Sequence, residues 1–249
     1  MAPATNPPLQ MSLSALDEAR FGIPSARASE ITAETLPKVL DFCRAHSVAF
    51  LIARCRVDHT DCAQAMERAG FELMGTLVYS SRDLKQTPIP PDTGEFSIRL
   101  MRPGEEARLK DMAAEAFHGY FGHYHADPRL DPAKCDEVYV AWAAALANAP
   151  EAPRSVLVAS WQDEWVGFAA NRLNSPEEGE GILAGVVPQA RRRGVHRDIM
   201  INRMKWCLAQ GAERMIISTQ IRNVAAQKVW VRLGFEPRHA CYTFHKWFD

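Results

Sequence analysis

The chain has 249 residues, 47% of them hydrophobic and 24% charged, a length comfortable for two small domains with ordinary cores. Its 29 Lys and Arg against 30 Asp and Glu give a formal net charge of −1, which excludes a protein that binds polyanions over its whole surface and makes any basic patch local. Six cysteines, none in a CxxC pair or at metal-ligand spacing, predict buried thiols in a reducing compartment and no metal site.

In chain order, residues 1–12 are rich in proline and small polar side chains and lack periodicity, so a disordered tail is expected. No basic stretch precedes a long apolar run there, which argues against a secretory signal and for a cytoplasmic protein. Residues 13–86 read as a smaller partial domain. Within it, AFLIARCRVDHTDCAQAMERAGFELMGTLVYS reads strand, polar link, helix, Gly-Phe, strand. The prolines of 87–94 cannot continue a helix or a central strand, so a linker is expected there.

Residues 95–249 read as the second domain. FSIRLM alternates as a strand. GEEARLKDMAAEAF predicts a helix with Leu109, Met112, Ala113 and Ala116 on one face. An aromatic, histidine-rich loop, AFHGYFGHYHADPRL, leads into a helix whose apolar stretch VYVAWAAALANA is too short for a bilayer, which needs about 20 residues. Tyr139 and Trp142 on it are expected to face the core. SVLVASWQDEWVGFAAN predicts a hairpin turning at Gln162-Asp163, and GILAGVV a buried strand. Arg191, Arg192 and Arg193 follow, then Gly194 and a helix with Val195, Ile199, Met200, Met204, Cys207 and Leu208 on its apolar side, ended by Gly211. MIIST is another strand. Asn223 caps VAAQKVWVRL, Gly234 ends it, and ACYTFHKWF closes the chain as a strand whose edge could pair across a two-fold to make a homodimer, while the oligomeric state itself is not written in the sequence.

The segment RMIISTQIRNVAAQKVWVRLGFEPRHACYTFH repeats the N-terminal pattern, with Gly70-Phe71 aligned to Gly234-Phe235. The N-terminal copy has no counterpart of the arginine-glycine junction. It reads either as an ordinary βαβ unit or as a truncated duplicate without a ligand site.

Three arginines and a glycine where a strand passes into a helix suit a diphosphate. The first turn of a helix carries unpaired N–H groups, glycine allows close approach, and arginine adds charge and paired donors. Arg191 to His196 after a Val-rich strand, and Asn223, Ala226, Gly234 and Phe235 downstream, resemble the two motifs of the GNAT superfamily of acyl-CoA-dependent N-acyltransferases. His196 stands where that family has a small residue, and Trp230 where it often has tyrosine. The resemblance covers about Phe96–Phe248. It implies an α/β (α+β) fold with a mixed, mostly antiparallel central sheet, here preceded by a partial GNAT-like βαβ domain. The partial copy and the aromatic loop are similar to sugar-amine acetyltransferases of the dTDP-fucosamine N-acetyltransferase type.

The resemblance implies acetyl-CoA or another short acyl-CoA as donor and direct attack by the amine of a nucleotide-linked amino sugar. Arg191, Arg192, Arg193, Gly194, Val195 and His196 would hold the diphosphate. Val186 and Val187 would polarise the thioester carbonyl through their backbone, and Asn223 and Trp230 would line the arm. Tyrosine in the second motif often protonates the departing thiolate; indole cannot, which leaves the proton donor open. His123 and His125, next to Asp127 in a loop that also holds His118, are the nominated bases. Two alternatives remain: another amine (an amino acid, a peptide N-terminus or an antibiotic), or an acyl-CoA-binding protein without catalysis. No nucleic acid and no membrane partner is expected.

Overall fold

The computed structural model describes residues 8–147 and 154–248. Among them are ten strands and seven α-helices, divided between two compact units that do not follow chain order. The first unit comprises residues 1–78, 121–135 and 239–249; the second comprises 79–120 and 136–238.

In the first unit β1 (Gln10–Leu13), α1 (Ala15–Phe21), β2 (Ser25–Ile31), α2 (Leu36–Ala45), β3 (Phe50–Arg56) and α3 (Thr60–Arg68) lead into β4 (Glu72–Asp83), which carries the chain onward. β1 pairs antiparallel with β2, β2 parallel with β3, and β3 antiparallel with Cys241–Trp247 of the last strand. Two expectations change here. The tail expected over 1–12 is structured from Gln10, because a sheet edge supplies partners for its backbone; residues 1–7 lie outside the described residues. The ACYTFHKWF strand is not an open edge, since β3 takes that row of hydrogen bonds. The apolar faces of α2 and α3 meet the strands in a core that includes Val39, Cys43, Leu51, Ala53, Met66, Phe71 and Phe244.

In the second unit β5 (Ser97–Leu100), β6 (Arg154–Trp161), β7 (Glu164–Ser175) and β8 (Glu178–Val186) form antiparallel neighbours, and β8 pairs parallel with β9 (Arg214–Gln220). The sheet is therefore mixed and mostly antiparallel, as expected. The β6–β7 turn falls at Gln162 (φ 50°) and Asp163 (φ 66°), the two positive φ values a tight two-residue hairpin needs. α4 (Glu106–Phe117) buries Leu109, Met112, Ala113 and Ala116. β8 alternates between buried and half-buried residues, so it is not the uniformly buried run expected.

α5 (Pro132–Ala147) follows the aromatic loop, with Tyr139 buried and Trp142, expected to face the core, 37% exposed; residues 148–149 of its expected apolar stretch lie outside the described residues. α6 (Val195–Ala209) buries Val195, Ile199, Met200, Met204 and Cys207, but Leu208 is exposed. Its end is a Schellman turn: Gly211 N–H reaches Leu208 O at 3.0 Å and Ala212 N–H reaches Cys207 O at 3.0 Å. α7 (Val224–Arg232) and β10 (Glu236–Trp247) complete the chain.

Residues 87–94, expected as a linker, belong to the second unit and are held in place. The buried Arg82 donates to Thr87 O and Pro88 O, and the Asp198 carboxylate accepts from the Thr93 amide and hydroxyl. Proline removes donors there, yet the remaining carbonyls still find partners, so the segment packs without regular structure.

Candidate functional site

The second unit's site starts from a strand pair that comes apart. β8 and β9 are in register from Glu178↔Arg214 to Gly181↔Ile217 and no further, although β8 continues to Val186 and β9 to Gln220. On its other side β8 stays bound to β7 up to Gly167↔Val186. There the Val187 amide donates to Val166 O at 3.1 Å. That bond makes Gly167↔Val186 a non-hydrogen-bonded pair, so the Val186 N–H and C=O point away from β7, towards the gap. Of the two valines expected to polarise a carbonyl, Val186 has an amide facing the gap and Val187 has its amide already used.

Pro188 opens a 3-10 turn, Pro188–Ala190, and residues 191–194 turn into α6. Arg192 (φ 66°) and Gly194 (φ 94°) both take left-handed backbone, and a Cβ on Gly194 would meet nothing within 4 Å. The loop is thus open to an approaching group at Gly194. The first intrahelical bond is Asp198 N–H to Gly194 O at 3.1 Å, which leaves the Val195, His196 and Arg197 amides without backbone acceptors among the described residues.

The three arginines separate in role. Arg191 donates to Ala116 O at 2.9 Å and Val186 O at 3.3 Å, bracing the loop against α4 and the end of β8. Arg193 lies over the Trp161 ring at 3.8 Å and pairs with Glu95 at 3.5 Å. Arg192 is exposed and has no side-chain partner among the described residues. His196 turns inward. Its Nε2 is buried without a partner, and burial, reinforced by Arg203, pushes its pKa down to about 4, so it is a neutral ring. Arg203 itself is buried against Asn171 Oδ1 (2.7 Å) and Ala170 O (2.8 Å), a polar anchor that apolar periodicity does not reveal.

Beside the gap, the Asn223 side chain accepts from the Ala226 amide, as a helix cap should, and donates to Thr219 Oγ1 at 3.0 Å. The Tyr120 hydroxyl, at the end of the segment following α4, hydrogen-bonds with Thr219 and Tyr139, and burial raises its pKa above the ordinary phenol value. Thr219 lies on β9 beyond Ile217, where β8 no longer pairs with it. A protonated phenol is therefore held next to the cap of α7. No local sequence signal joins Tyr120 to Thr219; the fold does.

Trp230 does not line the gap. It is 5% exposed and packs with Leu84, Met200, Met204, Leu233 and Phe235, its indole N–H unpartnered. The expectation that it takes the tyrosine's place beside a ligand is corrected: the position faces the core.

The two nominated histidines lie in the first unit. His125 Nδ1 accepts from the Gly122 amide at 3.2 Å and caps the 3-10 turn His123–Ala126. His123 is buried, its Nδ1 2.9 Å from His245 Nε2, while His245 Nδ1 is 2.7 Å from Asp127 Oδ2. Trp247 Nε1 donates to the same Asp127 oxygen at 3.0 Å. Asp127 is legible from its place in the loop, whereas His245 is remote in sequence and carries no local signal.

These residues fit an extended, amide-bearing ligand with a diphosphate. Val186 offers a strand-edge amide in the gap, the α6 amides and Arg192 offer donors for phosphate, and Gly194 leaves the space. Among the described residues no group of His, Cys, Asp and Glu could hold a metal ion, and no helix is long and apolar enough to cross a membrane.

Known proteins agree with this architecture. A sequence profile described as "Acetyltransferase (GNAT) family" matches residues 110–235, about half of the chain. The spore coat polysaccharide biosynthesis protein SpsD of Bacillus subtilis (strain 168) is 23% identical over 152 residues, covering 61% of this chain and 51% of that protein; the chain thus matches about half the length of this curated relative. A GCN5-related N-acetyltransferase from Sphaerobacter thermophilus superposes with a TM-score of 0.66 at 16% identity, covering 96% of this chain and 76% of the other. A tandem GNAT protein from the clavulanic acid biosynthesis pathway gives 0.60 at 13% identity, covering 91% and 76%. Fold, motif positions and profile together place the chain in the Acetyltransferase (GNAT) family.

Proposed function

We propose that the protein acylates, most simply acetylates, the amine of a nucleotide-linked amino sugar. The observation that carries the acyl-transfer reading is the parting of β8 and β9 beyond Gly181 and Ile217, with the Val186 amide directed into the opening. Support for a sugar comes from the likeness to a polysaccharide biosynthesis protein and from the aromatic loop after α4.

Bound acyl-CoA supplies a thioester that a neutral amine attacks: the C–N bond forms as the C–S bond breaks, the nitrogen releases one proton to solvent, and the departing thiolate takes one up. In the chain, the amides at the start of α6 and the Arg192 guanidinium bind the diphosphate. The Val186 amide orients and polarises the carbonyl, a donor worth about 3 kcal/mol where charge develops. Asn223 steadies the arm from α7. Tyr120 Oη holds the proton for the leaving sulfur, in the place that Trp230 cannot fill. Its raised pKa keeps that proton on the phenol at neutral pH.

The test is thiol release from acetyl-CoA across a panel of amines (dTDP- and UDP-linked amino sugars, amino acids, a peptide N-terminus, aminoglycosides), with the acylated product identified by mass. A nucleotide-sugar amine should give the highest kcat/KM. Preference for another amine would overturn the substrate, and release no faster than without amine would overturn the enzyme. Tyr120→Phe should lower kcat on the order of 100-fold with KM for acetyl-CoA little changed. An unchanged kcat would remove Tyr120 from proton transfer.

A further inference from the structure

The first unit contains a half-open cavity of about 400 Å³, with Gln10, Ser12, Arg27, Ser29, Arg54 and His123 among the residues that line it. Its electrostatics are lopsided. Arg27 is neutralised by the fully buried Asp17, which accepts from Arg27 Nε at 2.7 Å and Nη2 at 2.9 Å. Arg54 has only the Thr243 hydroxyl, at 3.4 Å, and no ion pair among the described residues. No carboxylate is among the lining residues. One positive charge in the wall is therefore uncompensated, in a place half withdrawn from water where charges interact strongly.

His123 adds a second, directional feature. The Asp127 carboxylate selects the His245 tautomer with its proton on Nδ1, so His245 Nε2 is an acceptor. His123 Nδ1 then donates to it, and His123 Nε2 is left with a lone pair and no protein partner among the described residues. Burial, with the positive charges of Arg54 and Arg27 nearby, holds the His123 pKa well below the usual histidine value, so the ring stays neutral. Asp127 and His245 sit behind this ring at 1% and 0% side-chain exposure. A three-residue buried chain that ends in one acceptor at a cavity wall is an expensive arrangement for a purely structural histidine, since each polar group must be matched.

We propose that this cavity is a binding site for a small polyhydroxylated molecule carrying a single oxyanion, the anion at Arg54 and a hydroxyl or ammonium donor at His123 Nε2. Gln10, Ser12 and Ser29 supply the remaining polar contacts. This inference does not rest on the acyl-transfer reading, because every residue it uses belongs to the first unit.

The test is calorimetric titration of the full-length protein with glucuronate, with glucose 1-phosphate and with glucose, joined to 15N spectra of the histidine side chains. At least one of the two anions should bind with a Kd on the order of 1 mM or tighter, glucose should give no saturable heat, and the His123 Nε2 signal should move on binding. Which anion binds separates a carboxylate from a phosphate ester as the recognised group. Arg54→Gln should weaken binding about tenfold or more while leaving the heat of coenzyme A binding intact, which distinguishes failure here from failure of the acyl-transfer reading. If Arg54→Gln does not fold, Ser29→Glu, which sets a carboxylate in the wall, should abolish anion binding. Absence of saturable heat with both anions, or full affinity in the folded Arg54→Gln protein (or, where that variant does not fold, in Ser29→Glu), would overturn the proposal.

Discussion

The run β2–α2–β3–α3–Gly-Phe–β4 and the run β8–α6–β9–α7–Gly-Phe–β10 have the same order of elements. Their helix ends are alike. Gly70 N–H reaches Glu67 O (2.9 Å) and Phe71 N–H reaches Met66 O (3.0 Å); Gly234 N–H reaches Val231 O (3.0 Å) and Phe235 N–H reaches Trp230 O (3.0 Å). Both phenylalanines are buried. The parallel strand pairs differ. β2 and β3 stay paired, past a bulge, to Ile31↔Cys55, and Cys62 Sγ donates to Ile31 O at 3.3 Å, closing the strand ends with a side chain from α3. β8 and β9 separate beyond Gly181↔Ile217. The link after β2 has no glycine, whereas the link after β8 has Gly194 at a left-handed N-cap. One copy keeps its strand ends paired and closed, and the other parts, leaving the end of β8 unpaired with β9. The equivalence also explains Trp230: counted back from Gly-Phe it matches Met66, a fully buried residue, so the position is a core position in both copies.

The largest expected effect tests the likeness. Phe71→Ala and Phe235→Ala should each destabilise by about 3–5 kcal/mol, because each removes a buried ring that seals a helix end. Denaturant melts should show two similar losses, and a cost under about 1 kcal/mol at Phe71 would break the equivalence of the copies. Next, Gly194→Val tests the difference. A β-branched residue with positive φ is strained by about 1–3 kcal/mol and its side chain occupies the approach to the α6 amides. Coenzyme A affinity should fall on the order of 100-fold by calorimetry, and retained affinity would show that the α6 amides are not the phosphate site.

How much of this was legible in the sequence follows from the range of each interaction. Hairpin, helix caps and Gly-Phe ends are local, written in residues within four or five positions, and Gln162-Asp163, Asn223 and Gly211 were all found. The strand pairing that places Cys241–Trp247 against β3 spans most of the chain and left no local mark. The chain's splitting into discontinuous units has the same cause. At the site, the arginine-glycine junction was visible, but the division of labour among Arg191, Arg192 and Arg193 was not, because it depends on Ala116, Trp161 and Glu95. Trp230 was misplaced by reading a motif position as a ligand position when amphipathic spacing alone could not tell which flank of α7 meets the core. Tyr120 to Thr219 and His123 to His245 are meetings of remote segments, and only the folded chain brings them together.

The smallest predicted effect concerns the end of the β8–β9 pair that stays shut. Glu178, at the first paired position, accepts from Arg214 Nε (2.8 Å), Arg238 Nη1 (3.0 Å) and Asn174 Nδ2 (3.1 Å). Burial alone would raise its pKa, but the bonds from Arg214, Asn174 and Arg238 outweigh that and bring it to about 2. The folded pKa is thus below the unfolded one, so the pin contributes stability above the ordinary glutamate value and loses it as pH falls from about 4.5 towards 2. With the arginines 48% and 43% exposed, solvent screening limits the contribution to about 1–2 kcal/mol. Melting temperatures of the wild type and Glu178→Gln, followed from pH 6 to pH 3, should converge on the acid side, with coenzyme A affinity unchanged at neutral pH. Parallel curves would mean that the closed end is held by the ladder alone. A fall in coenzyme A affinity would mean that the opening at Val186 depends on the pin at Glu178, and the two ends of the strand pair would then have to be treated as one device.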